Sequence, residues 1–118
     1  MLPEWRLFIK EVEGKKENLQ GADLGNKKLM GANLAGADLT DADLSISYLI
    51  KADLSKANLT NADMTGAVMS EANLVGANMD GAELEDTFEI EFEMDDIIDF
   101  SSYKKGFEIL AKYGIEVN

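Results

Sequence analysis

From Leu19 to Leu84 every fifth residue is Leu or Met, fourteen positions in unbroken phase. Two residues before each of them stands Ala in eleven of the fourteen cases, the exceptions being Glu17, Lys27 and Ser47. A period of five excludes the two regular structures a chain of this size would otherwise use. At about 100° per residue a helix advances roughly 500° in five residues, so the leucines would scatter around the axis and leave no buried stripe. A straight strand alternates faces with period two, so an odd repeat would turn each successive leucine to the opposite side. The conflict disappears if the chain bends once per pentad. Ala at i−2 and Leu at i then point the same way, inward. The three remaining positions, filled by Asp, Asn, Ser, Thr, Gly and Lys, carry turns and solvated surface.

Bends repeated in one sense close the chain into a coil, and successive coils stack with their backbones about 4.8 Å apart. Short-period repetition of this kind is the sequence signature of a solenoid, stabilised mainly by contacts between neighbouring turns. Small Ala beside larger Leu fills a narrow interior at the density a protein core requires.

Runs such as Gly31-Ala32-Asn33-Leu34-Ala35, Ala37-Asp38-Leu39-Thr40-Asp41 and Ala52-Asp53-Leu54-Ser55-Lys56 resemble the A(D/N)LXX unit of pentapeptide-repeat proteins. The likeness covers residues 17–86. It implies an all-β solenoid, a right-handed quadrilateral β-helix with one pentad per side. Fourteen pentads then make about 3.5 coils and a shaft roughly 17 Å long at the inter-strand spacing. The side count comes from the resemblance; periodicity alone yields only a closed coil.

The chain has 118 residues, which suits one domain, divided here into 1–16, 17–86 and 87–118. With no Cys and no His it lacks thiol chemistry, disulfides, and the commonest metal ligand and general base. Met1–Lys16 mixes charged and apolar residues and does not read as a signal peptide, and no segment is apolar enough to span a bilayer, so a cytoplasmic, non-membrane protein is expected. The net charge of −12 opposes direct binding to nucleic acid or anionic lipid and favours a basic partner or plain solubility.

A solenoid needs its open ends covered. Residues 3–13 read as a short helical cap, with Trp5, Phe8, Ile9 and Val12 at helical spacing, Pro3 in the first turn and Gly14 as the stop. Beyond the repeats, Phe88, Ile90, Phe92 and Met94 alternate with Glu89, Glu91 and Glu93, the pattern of a half-buried strand. A helix is expected from Ser101 or Ser102 to about Tyr113, ended by Gly114. This strand-plus-helix segment reads as a cap on the last coil. Some family members that it resembles dimerise through a C-terminal module, so the resemblance also implies a homodimer.

Four pentads per coil place residues twenty apart in columns, and two faces then depart from the ordinary. One carries Asp23, Asp43, Asp63 and Glu83 in its i−1 column, an acidic stripe that suits a basic partner, phosphate mimicry or a cation, or that merely satisfies the turns. No compact set of metal ligands accompanies it, and no metal or cofactor is expected. The other has Lys28, Tyr48 and Val68 where Asp or Asn is usual. With Met30, Ile46 and Ile50, and with Lys28 and Lys51 at the edge, it forms a candidate apolar contact patch, open to a partner or to the folded-back C-terminal segment.

Function follows as a non-catalytic protein–protein interaction module with an unidentified protein partner. The alternative, implied by the resemblance, is a DNA mimic that binds DNA gyrase or topoisomerase IV. Charge agrees with mimicry; a shaft half as long as a DNA turn of roughly 34 Å does not. An enzyme is not expected, since Ser, Asp and Lys sit where the repeat needs them and no nucleophile stands beside a base.

Overall fold

The computed structural model describes residues 2–87. The strand expected from Phe88 and the helix expected after it lie outside the described residues.

The chain starts with helix α1, Glu4–Glu13. Pro3 is its N-cap, in extended conformation, and its carbonyl accepts the amides of Arg6 and Leu7 at 3.0 and 3.2 Å. Proline suits this place because a helix start has no partner for the amide that proline lacks. Glu4 in the first turn complements the partial positive charge there. Gly14 ends the helix, its amide donating to Lys10. Ile9 and Val12 are buried, in one hydrophobic cluster with the repeat leucines, while Trp5 and Phe8 pack against its margin. The expected stripe is therefore the one that faces the interior.

A single 3-10 turn, Lys16–Asn18, leads into the repeats. It replaces the extended backbone that phase alone assigns to Glu17 and Asn18. Asn18 accordingly does not join the column above it, which runs Asp38, Asn58, Asn78. The turn still hands over to the stack, since the Lys16 carbonyl accepts the Asp38 amide at 2.8 Å and the Glu13 carboxylate accepts the Asn33 amide at 2.6 Å.

From Asp23 onward the architecture is regular. Each i−1 residue forms a one-residue parallel bridge with the residue twenty positions later: Asp23 with Asp43 and Asp43 with Asp63, Lys28 with Tyr48 and Tyr48 with Val68, and so around the coil. A coil is thus four pentads. Three kinds of backbone hydrogen bond recur. Along the Leu44 column, the amide of Asp43 donates down to Ala22, the amide of Leu44 donates up to Asp63, and the amide of Ile46 donates up to Thr65, at 2.7 to 2.9 Å. Since buried amides and carbonyls need partners, this stacking gives each coil most of its reason to sit on the next.

Each corner is a four-residue turn. The amide of the next i−2 residue donates to the carbonyl of Leu or Met at i, as Ala32 does to Leu29 at 3.1 Å. The residue at i+2 has positive φ at all fourteen corners, six of them Gly and eight not. Positive φ at the third residue is the type II arrangement, which explains why Gly and Asn recur there. The interior is as the period requires. Leu29, Leu34, Leu39, Leu44, Leu49, Leu54 and Leu59 are wholly buried, and the i−2 alanines from Ala32 to Ala67 are at most 1% exposed. Ser47 occupies an alanine site without penalty because its hydroxyl donates to the Leu44 carbonyl at 2.6 Å.

Candidate functional site

The acidic column is real as a stack, since Asp23, Asp43, Asp63 and Glu83 are bridged in series. The three aspartates, however, use their carboxylates locally. Asp43 accepts the Ser45 amide at 2.9 Å and the Ser45 hydroxyl at 2.5 Å; Asp63 accepts the Thr65 amide at 3.0 Å; Asp23 reaches the Gly25 amide at 3.4 Å. The same bond appears on the other faces, from Asn33, Asp38, Asp53, Asn58, Asn73 and Asn78 to the residue two further on. A short side-chain oxygen that takes the amide two residues later is the turn-forming habit of Asp and Asn. The Ser45 hydroxyl holds the Asp43 carboxyl below its ordinary value, Ser55 does the same for Asp53, and Thr40, then Gln20, for Asp38. Among the described residues no group of acidic side chains is placed to hold a metal ion.

The Tyr48 face is built differently. Lys28, Tyr48 and Val68 are bridged into one column, and none of them carries the short oxygen that would take the amide at Met30, Ile50 or Ser70. Tyr48 is 39% exposed and Ile46, at the corner before it, 60%. Met30, Ile50 and Val68 are half-buried, so the exposed apolar surface centres on Ile46 and Tyr48.

Ile46 is also the one β-branched residue among the fourteen corners, with φ of 57°. A branched Cβ in left-handed conformation is a genuine steric outlier. Gly66 lies above it in the corner column, and a Cβ at Gly66 would sit 3.7 Å from Ile46 Cγ1. That is ordinary van der Waals contact, so the positive φ of Gly66, at 72°, is what calls for glycine there.

Two of the cations have local explanations. Lys27, which replaces an inward alanine, is exposed and lies 5.8 Å from the Phe8 ring, so this departure in the first coil answers to α1. Lys51 is 3.6 Å from Glu71 in the coil above. Face by face, the charges are unequal. Lys27, Lys28 and Lys51 against Glu71 leave the Tyr48 face with a surplus of two positive charges. The face of Leu24, Leu44, Met64 and Leu84 carries six negative charges, from Asp23, Asp43, Asp63, Glu83, Glu85 and Asp86. The amphipathic character of single residues was visible in the sequence; this charge contrast emerges only when whole faces are compared, which the period of twenty already permitted.

The pentapeptide-repeat family description matches the chain in eight copies, over residues 18–45 and 47–87. That is more than half of its length, and the chain belongs to this family. The one break in the match falls at Ile46. No curated protein matches the chain significantly. Among solved structures, a pentapeptide-repeat protein of the Arabidopsis thaliana thylakoid lumen is 30% identical over 64% of this chain and 53% of its own, with a TM-score of 0.46. One from the cyanobacterium Cyanothece is 28% identical over 58% and 50%, with a TM-score of 0.42. One from Nostoc is 28% identical over 95% and 94%, with a TM-score of 0.45. The chain thus spans about half the length of the first two. The family accounts for the shaft, a β-helix of stacked pentads.

Proposed function

We propose that this chain is a non-catalytic protein-interaction module. In this reading a right-handed shaft of about three and a half coils, with α1 as its cap, presents the Tyr48 face to a protein partner. The observation that carries it is Ile46. A β-branched side chain is kept in an unfavourable backbone conformation at a corner where Gly or Asn would fit, and it is left exposed beside Tyr48. Strain retained in this way is characteristic of sites selected for something other than stability. The surplus of positive charge around the patch favours a partner with acidic groups at the edge of an apolar surface.

A second reading rests on the neighbouring face, whose six negative charges run along the axis. They suit a basic groove of the kind that binds DNA, as in the DNA gyrase or topoisomerase IV interaction implied by the resemblance.

Affinity capture from the source cells, with wild type and Tyr48→Asp side by side, separates the two. Loss of the captured protein on Tyr48→Asp, with an unchanged β-type circular dichroism spectrum, is the expected outcome. Capture unaffected by the substitution removes the Tyr48 reading. If purified protein also alters gyrase supercoiling, and does so regardless of Tyr48, the acidic face becomes the functional one.

A further inference from the structure

Ile46 stands on the corner that joins two unlike faces. Asp43 and Leu44 precede it on the acidic face, and Ser47 and Tyr48 follow it on the face with surplus positive charge. The same corner carries Asn26 one coil below, Gly66 one coil above and Asp86 above that. They are stacked through the amides of Asn26, Ile46 and Gly66, which donate to the carbonyls of Ser45, Thr65 and Glu85 at 2.8 to 2.9 Å. Ile46, 60% exposed, is thus the one apolar projection on this corner. On one side of it lies the acidic column. On the other lies a face that runs from Lys27 and Lys28 up to Val68 and Thr87.

We propose that this corner is the contact of a homodimer of parallel shafts, related by a two-fold axis that runs alongside them. The inference rests on the reading of the Tyr48 face as a contact surface, and it names the partner as a second copy of the chain. The partner that this face calls for has acidic groups beside an apolar anchor. The chain's own corner supplies both, with Asp23, Asp43 and Asp63 on the face beside Ile46.

Symmetry decides how two copies meet. A two-fold contact sets one patch against the same patch of the other copy. With the axis across the shafts, the copies run antiparallel and the acidic face opposes the acidic face. With the axis parallel to the shafts, each acidic face opposes the Tyr48 face of the other copy, and this happens twice. Opposed like charges work against a contact and opposed unlike charges support it, so the parallel arrangement is favoured. It also keeps heights. Lys27 and Lys28 of one copy stand level with Asp23 of the other, and Ile46 meets Ile46 with a Tyr48 on either flank. Asp86 meets itself at the top of the corner, which is a cost of the arrangement. The net charge of −12 repels two copies at a distance. Salt screens that repulsion beyond about 8 Å, whereas the facing charges act inside this range. The anchor is small beside the roughly 1,600 Å² of a standard stable interface, so association is reversible and rises with concentration.

The chain has no cysteine, so single cysteines report cleanly. An axis parallel to the shafts brings every residue of the corner beside its own copy, whereas an axis across them does so at one height only. A disulfide requires the two Cα atoms within about 7 Å. Asn26→Cys and Ile46→Cys, each in the full-length chain, are compared under mild oxidation with Lys56→Cys on the diagonally opposite corner. The first two should form disulfide-linked dimers on non-reducing gels, and Lys56→Cys should not. In sedimentation equilibrium the weight-average mass of the unsubstituted chain should climb toward twice that of one chain as concentration rises. Tyr48→Asp should lose this climb and keep its circular dichroism spectrum. A crosslink from Ile46→Cys without one from Asn26→Cys overturns the parallel arrangement. Equal crosslinking of all three variants, or of none, overturns the corner contact. If Tyr48→Asp removes a different captured protein while the chain stays a monomer, the second copy is excluded and the wider partner reading stands.

Discussion

At the scale of single residues, the repeat makes each position answer a separate physical demand, and the exceptions are measurable. Ile46 meets the demand of its corner worst. Left-handed backbone costs a side chain with a Cβ about 1–2 kcal/mol, and glycine avoids it. Ile46→Gly should therefore stabilise the shaft by about 1 kcal/mol despite the added chain entropy, seen as a rise in the thermal midpoint. A midpoint lowered by the substitution would mean that Ile46 is held by packing. The Asp residues that close the turns give a pH signature. Asp38, Asp43 and Asp53 have folded-state pKa values below their unfolded value of about 3.9, held there by hydroxyl and amide donors. Their contribution is complete above the unfolded value and is lost as pH falls through the depressed one. Asn makes the same amide bond at Asn33, Asn58, Asn73 and Asn78 and does not titrate. The stability of wild type relative to the triple variant Asp38→Asn, Asp43→Asn, Asp53→Asn should hold steady from pH 7 to about pH 5 and decline below pH 4. Melting curves across that range are the check, and a constant difference would remove the argument.

At the scale of the element, the unit is the coil, and each of its bridges to the neighbouring coils is a single residue. Stability comes from coils above and below. Leu54 is wholly buried in a coil with a neighbour on both sides, bonded to Asn73 above, while Asp53 beside it bonds to Ala32 below. Leu54→Ala should cost roughly 2–5 kcal/mol, the usual range for a core leucine. The loss should appear in hydrogen exchange as lower protection in both adjoining coils, with α1 least affected. Equal loss of protection throughout would mean that the shaft unfolds as one block. Helix α1 shows how the stack begins. Its buried edge meets the first coil, and the Glu13 carboxylate takes the Asn33 amide where a preceding coil would supply a carbonyl.

At the scale of the whole molecule, a closed coil was legible from the sequence because one demand repeats fourteen times, and the twenty-residue columns that the family resemblance implied match the bridges. The sequence was less explicit where one residue serves two masters. The acidic stripe reads equally as a surface for a basic partner and as turn residues, and only the structure displays the second use, with Asp43 and Asp63 accepting the amides of Ser45 and Thr65. Glu17 and Asn18 sit in phase yet form a 3-10 turn, because a chain arriving from a helix must change direction before it can stack. Lys27 reads as a departure at an inward alanine position, but its setting comes from Phe8, remote in sequence. For Ile46 the strain was invisible, since its φ depends on which residue of the pentad turns the corner. The face around Tyr48 stands out because a sequence with so strict a rule advertises each place where it is broken.

The coil of four equal sides has a consequence for how such a chain can change. Removing or adding five residues keeps Leu at every interior place, but it moves every later residue a quarter turn around the axis. An insertion ahead of Lys27 would leave the Tyr48 column intact, whereas one between Tyr48 and Val68 would separate them onto different faces and carry Thr87 away with Val68. The interior tolerates lengthening in steps of five, and a surface spread over several coils only in steps of twenty. Two relatives with equally good cores can therefore share no face at all.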